Sequence, residues 1–138
     1  MSTRAQVKVQ GGINQDQITL YRHCDGYPKE MLKTILKGYE LSGAVKGNWE
    51  AARGGKAASF IIAAGVKPET YTAFEPENSH ELHGDIEFYY IVTVGTEWSV
   101  QVYKTPFDCD SVKNMTLLAK GDIVELAGDE FLEYWKGV

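Results

Sequence analysis

Seven consecutive residues, Arg22-His23-Cys24-Asp25-Gly26-Tyr27-Pro28, set a base, a thiol and an acid side by side just before a turn. A strand that ends His23-x-Asp25 brings an imidazole and a carboxylate together, next to the backbone N–H groups that open a helix. The positive end of that helix favours an anion. Arg4 stands near the start of the neighbouring strand and would add a guanidinium fork for phosphate or carboxylate. The expected ligand-binding corner is therefore Arg4, His23, Asp25 and Tyr27. The same residues also have a purely structural reading. Asp25 would satisfy the turn and the helix start, His23 would bond to it, and Arg4 would close the ion pair, because buried polar groups normally find partners.

A second cluster lies in Ser79-His80-Glu81-Leu82-His83-Gly84-Asp85. Two histidines three apart, with a carboxylate two further on, have donor types that suit zinc or another divalent ion. If the fold brought His23 and Asp25 alongside, then His23, Asp25, His80, His83 and Asp85 would form a metal site able to activate water. The spacing is not that of a His-Glu-x-x-His helix, and an exposed acidic loop is the competing reading. The two thiols are weaker candidates. His23 and Cys24 are adjacent on a strand and so point to opposite faces. Cys109 sits between Asp108 and Asp110, a setting that opposes a thiolate nucleophile. Arg53-Gly54-Gly55-Lys56 lacks the glycine spacing of a phosphate-binding P-loop.

These residues need elements to hold them. Alternation predicts strands over 4–10 and 17–23, with Ile18, Leu20 and Arg22 on one face and Thr19, Tyr21 and His23 on the other. Pro28 suits the first turn of a helix. Met31, Leu32, Ile35, Leu36 and Tyr39 give that helix one apolar face, and Ser42-Gly43 ends it. A second helix is expected over 48–64, kinked or split in two by Gly54-Gly55. Residues 66–84 read as irregular. Strands over 86–94 and 98–104 form the clearest hairpin, joined by Gly95-Thr96-Glu97. One or two short strands follow around Gly121, then a last helical turn or two. The order β-β-α-α-β-β-β-α predicts a single α+β domain over 1–138: an antiparallel sheet of about five strands with helices packed on one face.

Composition narrows the function. A chain of 138 residues with 43% hydrophobic content can bury a core without metal or disulfide staples, so no cofactor is required. Its net charge of −5 disfavours nucleic acid as a partner. The charge is uneven: residues 1–65 carry a net +4 and residues 66–97 a net −6. The longest apolar run, Phe60 to Val66, falls far short of the ~20 residues that span a bilayer. Two cysteines make no disulfide framework, and no signal segment is visible, so a cytoplasmic protein with reduced thiols is expected.

Three segments carry a resemblance: Ser2-Thr3-Arg4, Tyr21-x-His23-x-Asp25-Gly26-Tyr27-Pro28, and Gly84-Asp85-Ile86-Glu87-Phe88-Tyr89. In these the chain resembles an uncharacterised protein family of bacterial and phage genomes. Its members begin Ser-Thr-Arg and carry the Tyr-x-His-x-Asp-Gly-Tyr-Pro run at a helix start. The likeness is clearest over residues 1–40. Cys24 stands where the family more often has tryptophan, so the resemblance implies no working thiol. It implies a phage-borne setting and a local motif, without a reaction.

The leading expectation is a small cytoplasmic binding or interaction protein, phage-associated and not an enzyme. Its partner would be a phosphate-bearing small molecule or a host protein. The alternatives are a metal-dependent hydrolase using the His/Asp cluster, and an assembly protein with no small-molecule site.

Overall fold

A computed structural model describes residues 3–11, 15–66 and 73–138. One six-stranded sheet carries helices on one face. The strands are β1 (Ala5–Gly11), β2 (Asp16–Arg22), β3 (Phe74–Pro76), β4 (Phe88–Val94), β5 (Ser99–Lys104) and β6 (Thr116–Asp122). The helices are α1 (Pro28–Ser42), α2 (Gly54–Ala64), α3 (Ile123–Leu126) and α4 (Leu132–Lys136). Across the sheet the order is β3-β2-β1-β4-β5-β6.

The α+β architecture expected from the element order is present, with two corrections. The central pair β1–β4 runs parallel, Val7 opposite Tyr90, while every other pairing is antiparallel. The chain between them, through β2 and both long helices, is long enough for the crossover that a parallel pair requires. The extra strand is β3, three residues at the sheet edge, where Pro76 lacks a donor for a further ladder bond. It lies inside the stretch expected to be irregular; residues 67–72 of that stretch, and 12–14 of the β1–β2 connection, lie outside the described residues.

Strand alternation sorts the side chains as expected. Ala5, Val7 and Val9 of β1, Leu20 of β2, Tyr90 and Val92 of β4, and Val100 and Val102 of β5 join the main core with Met31, Leu32, Ile35 and Ile61 from the helices. Gly38 lets α1 approach α2, because a Cβ there would stand 3.1 Å from the Ile61 Cα. The predicted second helix is split: a 3-10 turn over Trp49–Ala52 precedes α2. Buried Trp98 holds that turn by donating its indole N–H to the Ala51 carbonyl at 3.0 Å. No helix among the described residues is long and apolar enough to cross a membrane.

The sheet's other face is not bare. Tyr21, Tyr89 and Ile86 are buried there in a second small cluster with Leu82, Ile91 and Tyr103. The segment 77–87, a strap running back from β3 to β4, covers this face beside β1 and β2.

Candidate functional site

The Arg22–Pro28 run divides between the two faces. Arg22 points inward and is fully buried. Its guanidinium lies 4.8 Å from the Phe74 ring centre, with Nη1 donating to Thr34 Oγ1 and Met31 Sδ, each at 3.4 Å. Burial lowers its affinity for a proton, and the charges of Asp25 and Glu30 oppose that. Asp25 takes a left-handed backbone, φ 59°, which short polar side chains tolerate. Gly26 then passes so close to β1 that a Cβ would stand 2.7 Å from the Ala5 Cβ and 2.8 Å from the Thr3 carbonyl. Its N–H donates to Thr3 O at 2.9 Å, and its carbonyl accepts from the buried Tyr90 hydroxyl at 2.6 Å. Tyr27 occupies the N-cap position, Pro28 the first helical one, and the Tyr27 ring packs against the main core. Burial, followed by the charges of Glu30 and Asp25, raises the Tyr27 hydroxyl's pKa.

His23 emerges on the other face. There Arg4 Nε donates to His23 Nδ1 at 3.3 Å and lies 3.2 Å from Asp85 Oδ2. The Tyr21 hydroxyl donates to the same Asp85 oxygen at 3.4 Å. Burial, and after it the Asp85 carboxylate, pushes the Tyr21 hydroxyl up to about 12. Arg4 is 35% exposed. Both its side-chain polar contacts are at Nε, and its terminal nitrogens make no hydrogen bond to the described residues.

Of the four residues expected to form the binding corner, Arg4 and His23 meet. The Asp25 charge acts instead on Arg22, and Tyr27 packs against the main core on the helix side. The cause is the period of two in a strand: Arg22 and His23 must face opposite ways, and the turn that follows leads to the helix side.

The strap supplies the rest of the corner. Gln6, fully buried on β1, donates from Nε2 to Glu81 O at 3.0 Å and accepts the His83 N–H at 2.9 Å through Oε1. His80 Nδ1 lies 2.6 Å from Thr19 Oγ1. The His83 ring stacks on Tyr21, 4.3 Å between centres, and its Nε2 bonds to the Glu77 carboxylate. The five residues of the metal reading each take another partner: Asp85 with Arg4 and Tyr21, His83 with Glu77, His80 with Thr19, His23 with Arg4, and Asp25 near Arg22. Among the described residues no three His, Cys, Asp or Glu side chains gather in a metal-holding group. Buried Cys109 donates its thiol to Ser111 O at 3.1 Å.

Sequence reasoning missed Gln6, Glu77 and the role of Tyr21. No local signal marks Gln6: Lys8 and Gln10 on the same strand face are half-buried, and Gln6 is covered only by the distant strap, which bonds its amide at both ends.

No family model, curated protein or solved structure matches the chain.

Proposed function

We propose that this is a non-catalytic cytoplasmic binding protein whose working surface is the Arg4 corner, and that it takes the anionic group of a ligand, phosphate in the first instance. The observation that carries this is the Arg4 guanidinium. Asp85 and His23 hold it at Nε, while its terminal edge, the one that can grip two oxygens of a phosphate, has no partner among the described residues. Fixing one edge orients the other and lowers the entropy lost on binding. His23 and Tyr21 flank the guanidinium and shape the approach. The ligand belongs to a small molecule or a host protein in the phage-borne setting that the Ser2-Thr3-Arg4 and Tyr21–Pro28 motifs imply.

Titration with inorganic phosphate at low ionic strength, followed by backbone amide NMR shifts, tests the reading. Saturable shifts at Arg4, His23 and Asp85 are expected. Arg4→Ala should abolish them and Arg4→Lys should weaken them, while Asp25→Asn and Tyr27→Phe should leave the affinity unchanged. Shifts centred on the N-terminus of α1 and insensitive to Arg4→Ala would refute it.

A further inference from the structure

At the opposite end of the sheet from Arg4 lies a cavity of about 470 Å³, set between the C-terminal end of α1 and the β4–β5 turn. We infer that this cavity is a second binding site, for an uncharged planar aromatic group of one or two rings stacked on Trp49. The inference is independent of the Arg4 corner.

Three observations carry it. The first is the lining. Among the described residues it contains no charged side chain: Ala44, Ala52, Gly47 and Gly95 form small walls, and Asn48 and Thr96 supply the polar groups. Two other clefts among the described residues differ. One is lined by Glu81, Asp108 and Asp110, the other by Glu97 and Asp122. A lining without charge gives no compensation for a desolvated ion, so it selects a neutral occupant. Few polar groups in an apolar cavity of some hundreds of Å³ are the usual make-up of a small-molecule site.

The second is Trp49, the one large side chain among the described residues of the lining, which is 62% exposed while Trp98 and Trp135 are buried. An indole face left in water gains most from a flat ring laid against it, and such pairs exceed their area term. The small residues around it leave the space that ring would fill. A Cβ placed on Gly47 would meet nothing within 4 Å.

The third is that the walls are fixed before any ligand arrives. Asn48 donates from Nδ2 to Ser42 O at 2.7 Å and from its backbone to Gly43 O at 3.1 Å. Gly47 N bonds to Ala44 O at 3.0 Å, and Ser42 Oγ accepts the Ala44 N–H at 3.2 Å. From beneath, Trp98 pins Ala51. Gly43 and Gly47 both hold positive φ, 75° and 83°, so the turn that shapes the cavity relies on glycine's freedom at both positions.

The test uses the full chain and indole as the probe, with cyclohexanol as a non-aromatic control and indole-3-acetate as a charged one. Indole should produce saturable NMR shifts at the amides of Gly47 and Gly95 and at the Trp49 side-chain N–H, with Kd about 1 mM or tighter. Both controls should bind at least tenfold more weakly. Trp49→Ala should weaken indole at least tenfold, and Ala52→Leu, which occupies the cavity, should do the same by a different route. Absence of saturable shifts would overturn the inference. So would equal affinity for cyclohexanol, or unchanged binding in a folded Trp49→Ala variant. Shifts at these residues that grow with protein concentration without indole would assign the surface to a protein contact, and would equally overturn it.

Discussion

Replacing Gly26 by alanine separates a motif built as a joint from one built as a site. The added methyl would fall 2.7 Å from the Ala5 Cβ and 2.8 Å from the Thr3 carbonyl oxygen, against an ordinary carbon contact of about 3.5–4.0 Å. Ala5 cannot retreat, because β1 is paired on both sides, with Arg22 of β2 and Phe88 of β4. The turn must move instead. That movement strains two hydrogen bonds, Gly26 N to Thr3 O and the buried Tyr90 hydroxyl to Gly26 O. The losses are about 1 kcal/mol for the first and about 1–2 kcal/mol for the buried second. Displacing packed atoms adds about 1 kcal/mol or more. The lower chain entropy of alanine when unfolded returns about 0.4–1 kcal/mol. The net expectation is a loss of about 2–3 kcal/mol. At an unfolding entropy of about 2.1 cal/mol/K per residue over 138 residues, that lowers Tm by about 7–10 °C. Urea unfolding and calorimetry measure both quantities. Tyr90→Phe should reproduce the hydroxyl part alone, about 1–2 kcal/mol. A Gly26→Ala loss below about 0.5 kcal/mol, the scale of a neutral surface change, would refute the claim that steric closeness to β1 is why glycine stands there.

Gly54→Ala should cost about 1–3 kcal/mol in a urea melt, because its Cβ would meet the Asp16 carbonyl at 2.9 Å. Gln6→Leu should free the strap: the Glu81 carbonyl and His83 N–H lose their buried partner, and the His83 amide should exchange with solvent at least tenfold faster. Burial, and then the nearby Tyr103, raises the Tyr89 hydroxyl to about 12 from 10.0. Between those values the unfolded chain has released the proton and the folded chain retains it, so stability is intact below pH 10 and falls by about 2–3 kcal/mol on approaching pH 12. Tyr89→Phe should remove that share of the slope in alkaline melts, while the share of Tyr21, also raised to about 12, remains.

The parts of this fold that could be read from sequence are those set by a local period. Alternation in β2 already separates Arg22 from His23, and the structure places the one in the core and the other beside Arg4. The pair Gly54-Gly55 announces a break, and the chain has one there, in the step from the 3-10 turn to α2. Strand order is another matter. Val7 pairs with Tyr90 across 83 positions, and nothing in either neighbourhood states that they run parallel. The Arg4–Asp85 contact has the same character. Both residues stood out for their chemistry, but Asp85 reaches Arg4 through the pairing of distant segments, the Glu87 N–H on Arg4 O at the start of the β1–β4 ladder and the Gln6 clamp on the strap, and such pairings leave no periodic trace. β3 was hidden for a third reason: three residues ending in proline carry too little alternation to register.

The division of the motif between two faces limits how the Arg4 corner can work. The N-terminus of α1 opens on the helix side, where Tyr27 packs into the core, so its partial positive charge does not reach an anion held on the outer face. The attraction then rests on one guanidinium, 35% exposed and already sharing its charge with Asp85. An exposed ionic contact of this kind is worth about 0–1 kcal/mol and weakens with salt. Inorganic phosphate should accordingly bind no more tightly than about 1 mM, and less well as ionic strength rises. A ligand that binds at micromolar concentration must add contacts from its body, and the flanking surface that can supply them is formed by His23, Tyr21 and the His83 ring stacked on it. Asp85→Asn distinguishes the roles in this arrangement: removing the competing charge should strengthen phosphate binding, whereas weaker binding would mean that Asp85 serves mainly to hold the guanidinium in place.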